Sequence, residues 1–141
     1  MKKIGFAALC GLISLAFASC TPEVTFNESD LYGTWQEDGK QAFVRFLTPE
    51  EDGVTGDYSE YKYGYEWDED EDVHPEDLTY HGNGWFEWKL ETSELTQIHF
   101  MDNGGAEIPK IYTINMLNSS QLSYTDSFKK IHTFTKVVIA E

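Results

Sequence analysis

YGTWQEDGKQAFVRFL, residues Tyr32 to Leu47, decides the fold class. Apolar and polar residues alternate on both sides of Asp38-Gly39. That period of two is the strand period, in which successive side chains point to opposite faces. Asp-Gly is a strong two-residue hairpin signal, because both positions tolerate positive φ. The stretch therefore predicts two antiparallel strands, Tyr32–Glu37 and Gln41–Leu47.

The same alternation continues outward, broken by turn residues every eight to twelve positions. Further strands are expected at Gly56–Trp67, Tyr80–Leu90, Glu94–Met101, Ile108–Leu117, Gln121–Thr125 and Lys130–Val138. Gly82-Asn83-Gly84 suggests a bulge or kink in the fourth of the eight strands, and Pro109 fits a strand start. No helical stripe longer than two turns is present. Eight strands joined mostly by short loops make an all-β meander of sequential neighbours. Closing it into an eight-stranded antiparallel up-and-down barrel removes two exposed edges. A two-sheet β-sandwich is the alternative.

The chain has 141 residues and a formal charge of −15. Such a charge excludes non-specific binding to nucleic acid, which is a polyanion. Four Trp, eight Tyr and nine Phe are too many for a disordered acidic tail.

The first twenty residues, MKKIGFAALCGLISLAFASC, have a basic head (Lys2, Lys3), an apolar run from Ile4 to Phe17, and a small-small-Cys end. This is the layout of a secretory signal, too short to span a bilayer as a stable helix. The ending Ala18-Ser19-Cys20 resembles the lipobox of bacterial lipoproteins, with Phe17 where Leu is usual. The resemblance implies a diacylglycerol on the Cys20 thiol and cleavage just before it. An ordinary signal peptide or a short membrane anchor is the alternative. The expected organisation is a lipoprotein signal at 1–19, a tether at 20–30 and a barrel domain at 31–141. Thr21 stands where an inner-membrane retention Asp would be, so the resemblance implies the outer membrane of a diderm cell.

Leu31-Tyr32-Gly33-Thr34-Trp35 resembles the Gly-x-Trp signature at the first strand of lipocalins, and Asn27–Asp30 could form the short 3₁₀ turn that precedes it there. Near the last strand a basic residue packs over that Trp in the family, and Lys136 matches in position although Arg is usual. The resemblance implies structural roles for Gly33, Trp35 and Lys136, and a lipocalin-like (calycin-like) barrel that binds a small ligand.

The third strand alternates Tyr61, Tyr63, Tyr65 and Trp67 with Lys62, Gly64 and Glu66, so the four rings share a face. The fourth carries Phe86, Trp88 and Leu90 on one face and Trp85, Glu87 and Lys89 on the other. If the two aromatic faces point inward, Tyr61, Tyr63, Tyr65, Trp67, Phe86 and Trp88 either fill the barrel or line a cavity for a small amphipathic or apolar ligand. Exposed, the same rings would suit stacking on a glycan. A third reading is a protein-interaction or inhibitor lipoprotein that docks a basic partner on its acidic loop.

That loop, Asp68-Glu69-Asp70-Glu71-Asp72, imitates the start of a calcium-binding EF-hand, but Val73 and Thr79 stand where Gly and Glu are required. Its five acids are expected to repel one another and stay extended in water. His74, His81, His99 and His132 lack zinc spacing, and His99 and His132 are expected to cap the core or face solvent. No nucleophile elbow is present. No catalytic, metal or cofactor site is expected.

Overall fold

The structure is a computed structural model, describing residues 25–51, 61–101 and 108–138. The leader, Cys20, Gly56–Glu60 of the third predicted strand and residues 102–107, where a turn is expected at Asp102–Gly105, lie outside these residues. Eight strands close into one antiparallel up-and-down barrel in sequence order. They are β1 (Gly33–Glu37), β2 (Ala42–Phe46), β3 (Lys62–Asp68), β4 (Trp85–Glu91), β5 (Glu94–His99), β6 (Ile108–Leu117), β7 (Gln121–Thr125) and β8 (Ile131–Lys136). β8 pairs back onto β1, matching Trp35 with Lys136, so the sheet has no free edge. The two-sheet alternative is excluded by this closure.

Local chemistry sets the turns. The first hairpin closes over Asp38–Gln41, with the Lys40 amide donating to Glu37 O (3.1 Å) and Gly39 at φ +80°. It is longer than the two-residue turn that Asp-Gly suggests. Residues 79–84 form a turn ahead of β4, not a bulge within it, and Gly84 takes φ +96°. A register shift falls instead in β6, between Ile114 and Met116.

One end of the barrel is closed. A 3₁₀ turn, Glu28–Asp30, lies under it, capped by the Asn27 side chain. Leu31, Trp35, Phe46, Phe86, Trp88, Leu95 and Leu122 are all fully buried there, and Phe26 packs against them. The Trp35 indole N–H donates to Leu31 O (2.9 Å). Lys136 Nζ sits 4.7 Å from the Trp35 ring centroid and donates to Asp30 O (2.9 Å) and Tyr32 O (2.7 Å). This places the cation on the ring's negative face with its protons satisfied. The Phe26 amide also donates to Thr92 O (3.2 Å). The folded unit thus includes Phe26, ahead of the expected boundary at Leu31.

The acidic stretch is folded, not extended. Glu69–Glu71 and Pro75–Asp77 are 3₁₀ turns. Asp68 accepts from the Asp70 amide (2.9 Å), Asp70 from the Gln41 amide (3.1 Å) and Asp77 from the His74 amide (2.9 Å). Backbone N–H groups at turn starts are unpaired donors, and carboxylates satisfy them. These contacts outweigh the like-charge repulsion that argued for an extended loop.

Candidate ligand cavity at the open end

Strand parity separates the two aromatic rows. Gly64 pairs with Phe86, and a β-carbon on Gly64 would lie 2.7 Å from the Phe86 ring. Gly64 and Phe86 therefore point inward together, with Lys62, Glu66 and Trp88 in the same rows. Lys62 Nζ lies 5.4 Å from the Trp88 ring centroid.

Tyr61, Tyr63, Tyr65 and Trp67 consequently face outward. The condition under which Tyr61, Tyr63, Tyr65 and Trp67 would join Phe86 and Trp88 in filling the barrel or lining a cavity, both aromatic faces pointing inward, is not met. The physical reason is volume: the closed half is already full with Trp35, Phe46, Phe86 and Trp88, and an eight-stranded barrel has no room for four more rings. The outer rings form their own chain. Phe43 stacks on Trp67 at 5.1 Å, Trp67 lies 5.7 Å from Tyr65, and Tyr65 lies 4.9 Å from Trp85. Tyr63 stacks on His81 at 4.3 Å, and Lys89 Nζ lies 5.1 Å from the Tyr61 ring. Phe86 and Trp88 belong to the core floor.

The other half of the barrel is open. A cavity of about 520 Å³ lies there, bounded by Glu37, Val44, Glu66, His99, Lys110, Tyr112, Tyr124, His132 and Phe134, with Asp68, Glu71 and Leu78 at its rim. That size suits one small ligand. The Tyr112 and Tyr124 rings lie 4.3 Å apart, tilted by 38°, and Tyr124 meets Phe134 at 5.1 Å. β6, β7 and β8 thus supply an aromatic wall. β1 and β3 supply Glu37 and Glu66 from another side.

The polar groups are organised. His132 bridges two carboxylates, Nδ1 at 3.2 Å from Glu37 and Nε2 at 2.9 Å from Asp126. The hydrogen bond from His132 holds the Asp126 carboxyl below its usual range, helped by the Lys130 and Phe128 amides. His99 Nε2 lies 2.9 Å from Gln97 Oε1, and its Nδ1 lies 3.9 Å from Glu66. Burial, with Lys110 adding to it, pushes His99 down to about 4. Burial also pushes Glu66 up, opposed by Lys110 and reinforced by Glu37, although 44 % of the side chain still meets the cavity. Both phenols are driven upward, by burial first and then by the negative charges around the cavity.

Sequence reasoning did not assemble this site. The strand pattern places His99 and His132 as caps of the core or on the solvent face; both line the cavity. Glu37, Glu66, Tyr112 and Tyr124 each occupy an inward position, recoverable from parity once the Gly64–Phe86 pair fixes which face is inside.

The His99 shift has a signed consequence. Its folded pKa, about 4, lies below the unfolded value of 6.5. Between these the unfolded chain binds the proton and the folded chain does not, so stability falls as pH drops through that window. Glu66 acts oppositely: above 4.5 the folded carboxyl retains its proton longer, so its contribution falls as pH rises. His99→Gln is expected to remove the first effect, shrinking the stability loss from neutral to acid pH by about 3 kcal/mol. Urea midpoints at matched pH values check it.

Comparison with family models, curated protein sequences and solved structures finds no match to this chain.

Proposed function

We propose that this chain is a lipid-anchored envelope protein, held through Cys20 at the outer membrane of a diderm cell, whose lipocalin-like barrel binds a small amphipathic ligand without catalysis. The observation that carries the binding reading is the half-filled barrel: a packed floor below, and above it a cavity with an aromatic wall and several oriented polar groups. Anchoring rests on the leader and on the short spacing from Cys20 to Phe26. Phe26 enters at the closed end, so the open mouth would face away from the membrane.

Cys20→Ala is expected to move the chain from the membrane fraction to the soluble fraction while it stays folded; an unchanged membrane fraction refutes the anchor. In that non-lipidated chain the neutral dye N-phenyl-1-naphthylamine should bind and fluoresce. Val44→Trp, which fills the cavity from β2, should abolish that signal; equal binding by the variant refutes the cavity.

A second reading, glycan binding, is favoured by one observation: Phe43, Tyr65 and Trp67 form a continuous ring surface on the outside of β2 and β3. The two readings differ in which rings a bound molecule touches.

A further inference from the structure

We infer that the open-end cavity selects organic cations, an ammonium group carried on an aromatic or apolar body, over neutral and anionic molecules of the same shape. The inference rests on the cavity being the ligand site and names the ligand class it takes.

The charges around it are unequal. Glu37, Glu66, Asp68 and Glu71 line the cavity, against Lys110. His99 adds no positive charge at neutral pH, because burial keeps it neutral. Glu37 already shares His132 with Asp126. Glu66 has no hydrogen-bonded cation among the described residues: its near neighbour is His99, 3.9 Å away. Burial favours the protonated form of Glu66, and Glu37 adds to it, even against the opposing charge of Lys110, so this carboxyl has less counter-charge than its burial demands. An ammonium beside it would supply that charge inside a partly enclosed site, where pairing is stronger than in open water.

The remaining surface fits the rest of such a molecule. Tyr112, Tyr124 and Phe134 form an aromatic wall on β6–β8, while the two inward glutamates stand on β1 and β3. A flat body can lie on the wall while its cationic end reaches the glutamates, and ring faces themselves favour cations. Further in, Gln97 is 1 % exposed on the inward row of β5, and its Nε2 has no hydrogen-bond partner among the described residues. Turning the amide would let Nε2 donate to the unprotonated ring nitrogen of His99, which lines the cavity. An anion would meet the same glutamates as repulsion and would leave Glu66 uncompensated.

Three probes of one shape test this in the full chain in nonionic detergent: 1-naphthylmethylammonium, 1-naphthylmethanol and 1-naphthoate, titrated calorimetrically at pH 7.5. The ammonium should bind roughly tenfold more tightly than the alcohol, the affinity step of one charge-assisted hydrogen bond. The carboxylate should show no binding. Glu66→Gln should weaken the ammonium by about the same factor and leave the alcohol unchanged, which also shows that the variant is folded. Lys110→Gln should tighten the ammonium, an effect that loss of structure cannot mimic. Equal affinity for ammonium and alcohol, or tighter binding of the carboxylate, overturns the cation inference and leaves the cavity reading standing. No binding by any of the three overturns both.

Discussion

Trp35→Ala should lower the unfolding free energy by about 3–5 kcal/mol, a large share of the stability of a domain this size. The side chain is fully buried, so truncation leaves a ring-sized void in the closed end. Two further losses follow. Leu31 O loses the indole donor that ties the 3₁₀ turn to β1. Lys136 loses the ring beneath its ammonium, although its two carbonyl partners remain. Burial already holds the Lys136 pKa below its ordinary value, so the group is costly to leave without that ring. Trp35→Phe should recover part of the loss through ring volume but not the hydrogen bond. Urea unfolding followed by the remaining tryptophans measures both variants. A loss below about 1 kcal/mol for Trp35→Ala would mean that the closed end is not the stability centre.

Gly64→Ala is expected to cost about 3 kcal/mol, the upper part of the range for forcing atoms into a packed core. The added β-carbon would stand 2.5 Å from Arg45 O and 2.7 Å from the Phe86 ring. Arg45 O belongs to the neighbouring strand of a closed sheet, so it cannot move without disturbing the β2–β3 ladder. Removing a glycine from a strand would otherwise stabilise by a few tenths to about 1 kcal/mol through the unfolded state. The sign of the measured change therefore decides between the two effects. Combining Gly64→Ala with Phe86→Leu should cost less than the sum of the single changes, because the ring contact disappears while the carbonyl contact stays. Strict additivity would mean that Gly64 and Phe86 do not meet inside the barrel.

Gly64 also marks where the sequence was legible and where it was not. Strand positions follow from the period-two pattern, and β6 and β7 match their expected bounds residue for residue. Closure follows from the edge problem that eight sequential strands would otherwise leave. Which face of β3 points inward is not legible in the pattern, because a row of four aromatics reads equally as core or as an exposed platform. The opposite row, Lys62, Gly64 and Glu66, contains the position where only hydrogen fits against Phe86. A glycine inside a strand signals such a close approach, and its meaning depends on the cross-strand partner. That partner is set by register across a long connection, which local pattern does not encode. The same holds for the cavity. Glu37 and His132 are far apart in sequence, and only the β1–β8 seam brings them to 3.2 Å. In the acidic stretch, charge counting alone favoured an extended loop. The places of Asp68, Asp70 and Asp77 beside unpaired amides decided otherwise.

The outer aromatic chain and the inner cavity make competing demands on any ligand, and one measurement separates them. In the non-lipidated chain, side-chain NMR shifts are followed while N-phenyl-1-naphthylamine is added. The predicted result is saturable movement of Tyr112, Tyr124, His99 and His132, with Tyr65 and Trp85, which do not line the cavity, unmoved. Movement confined to Tyr65, Trp67 and Phe43 would contradict the cavity as the binding site and place recognition on the outside of the barrel.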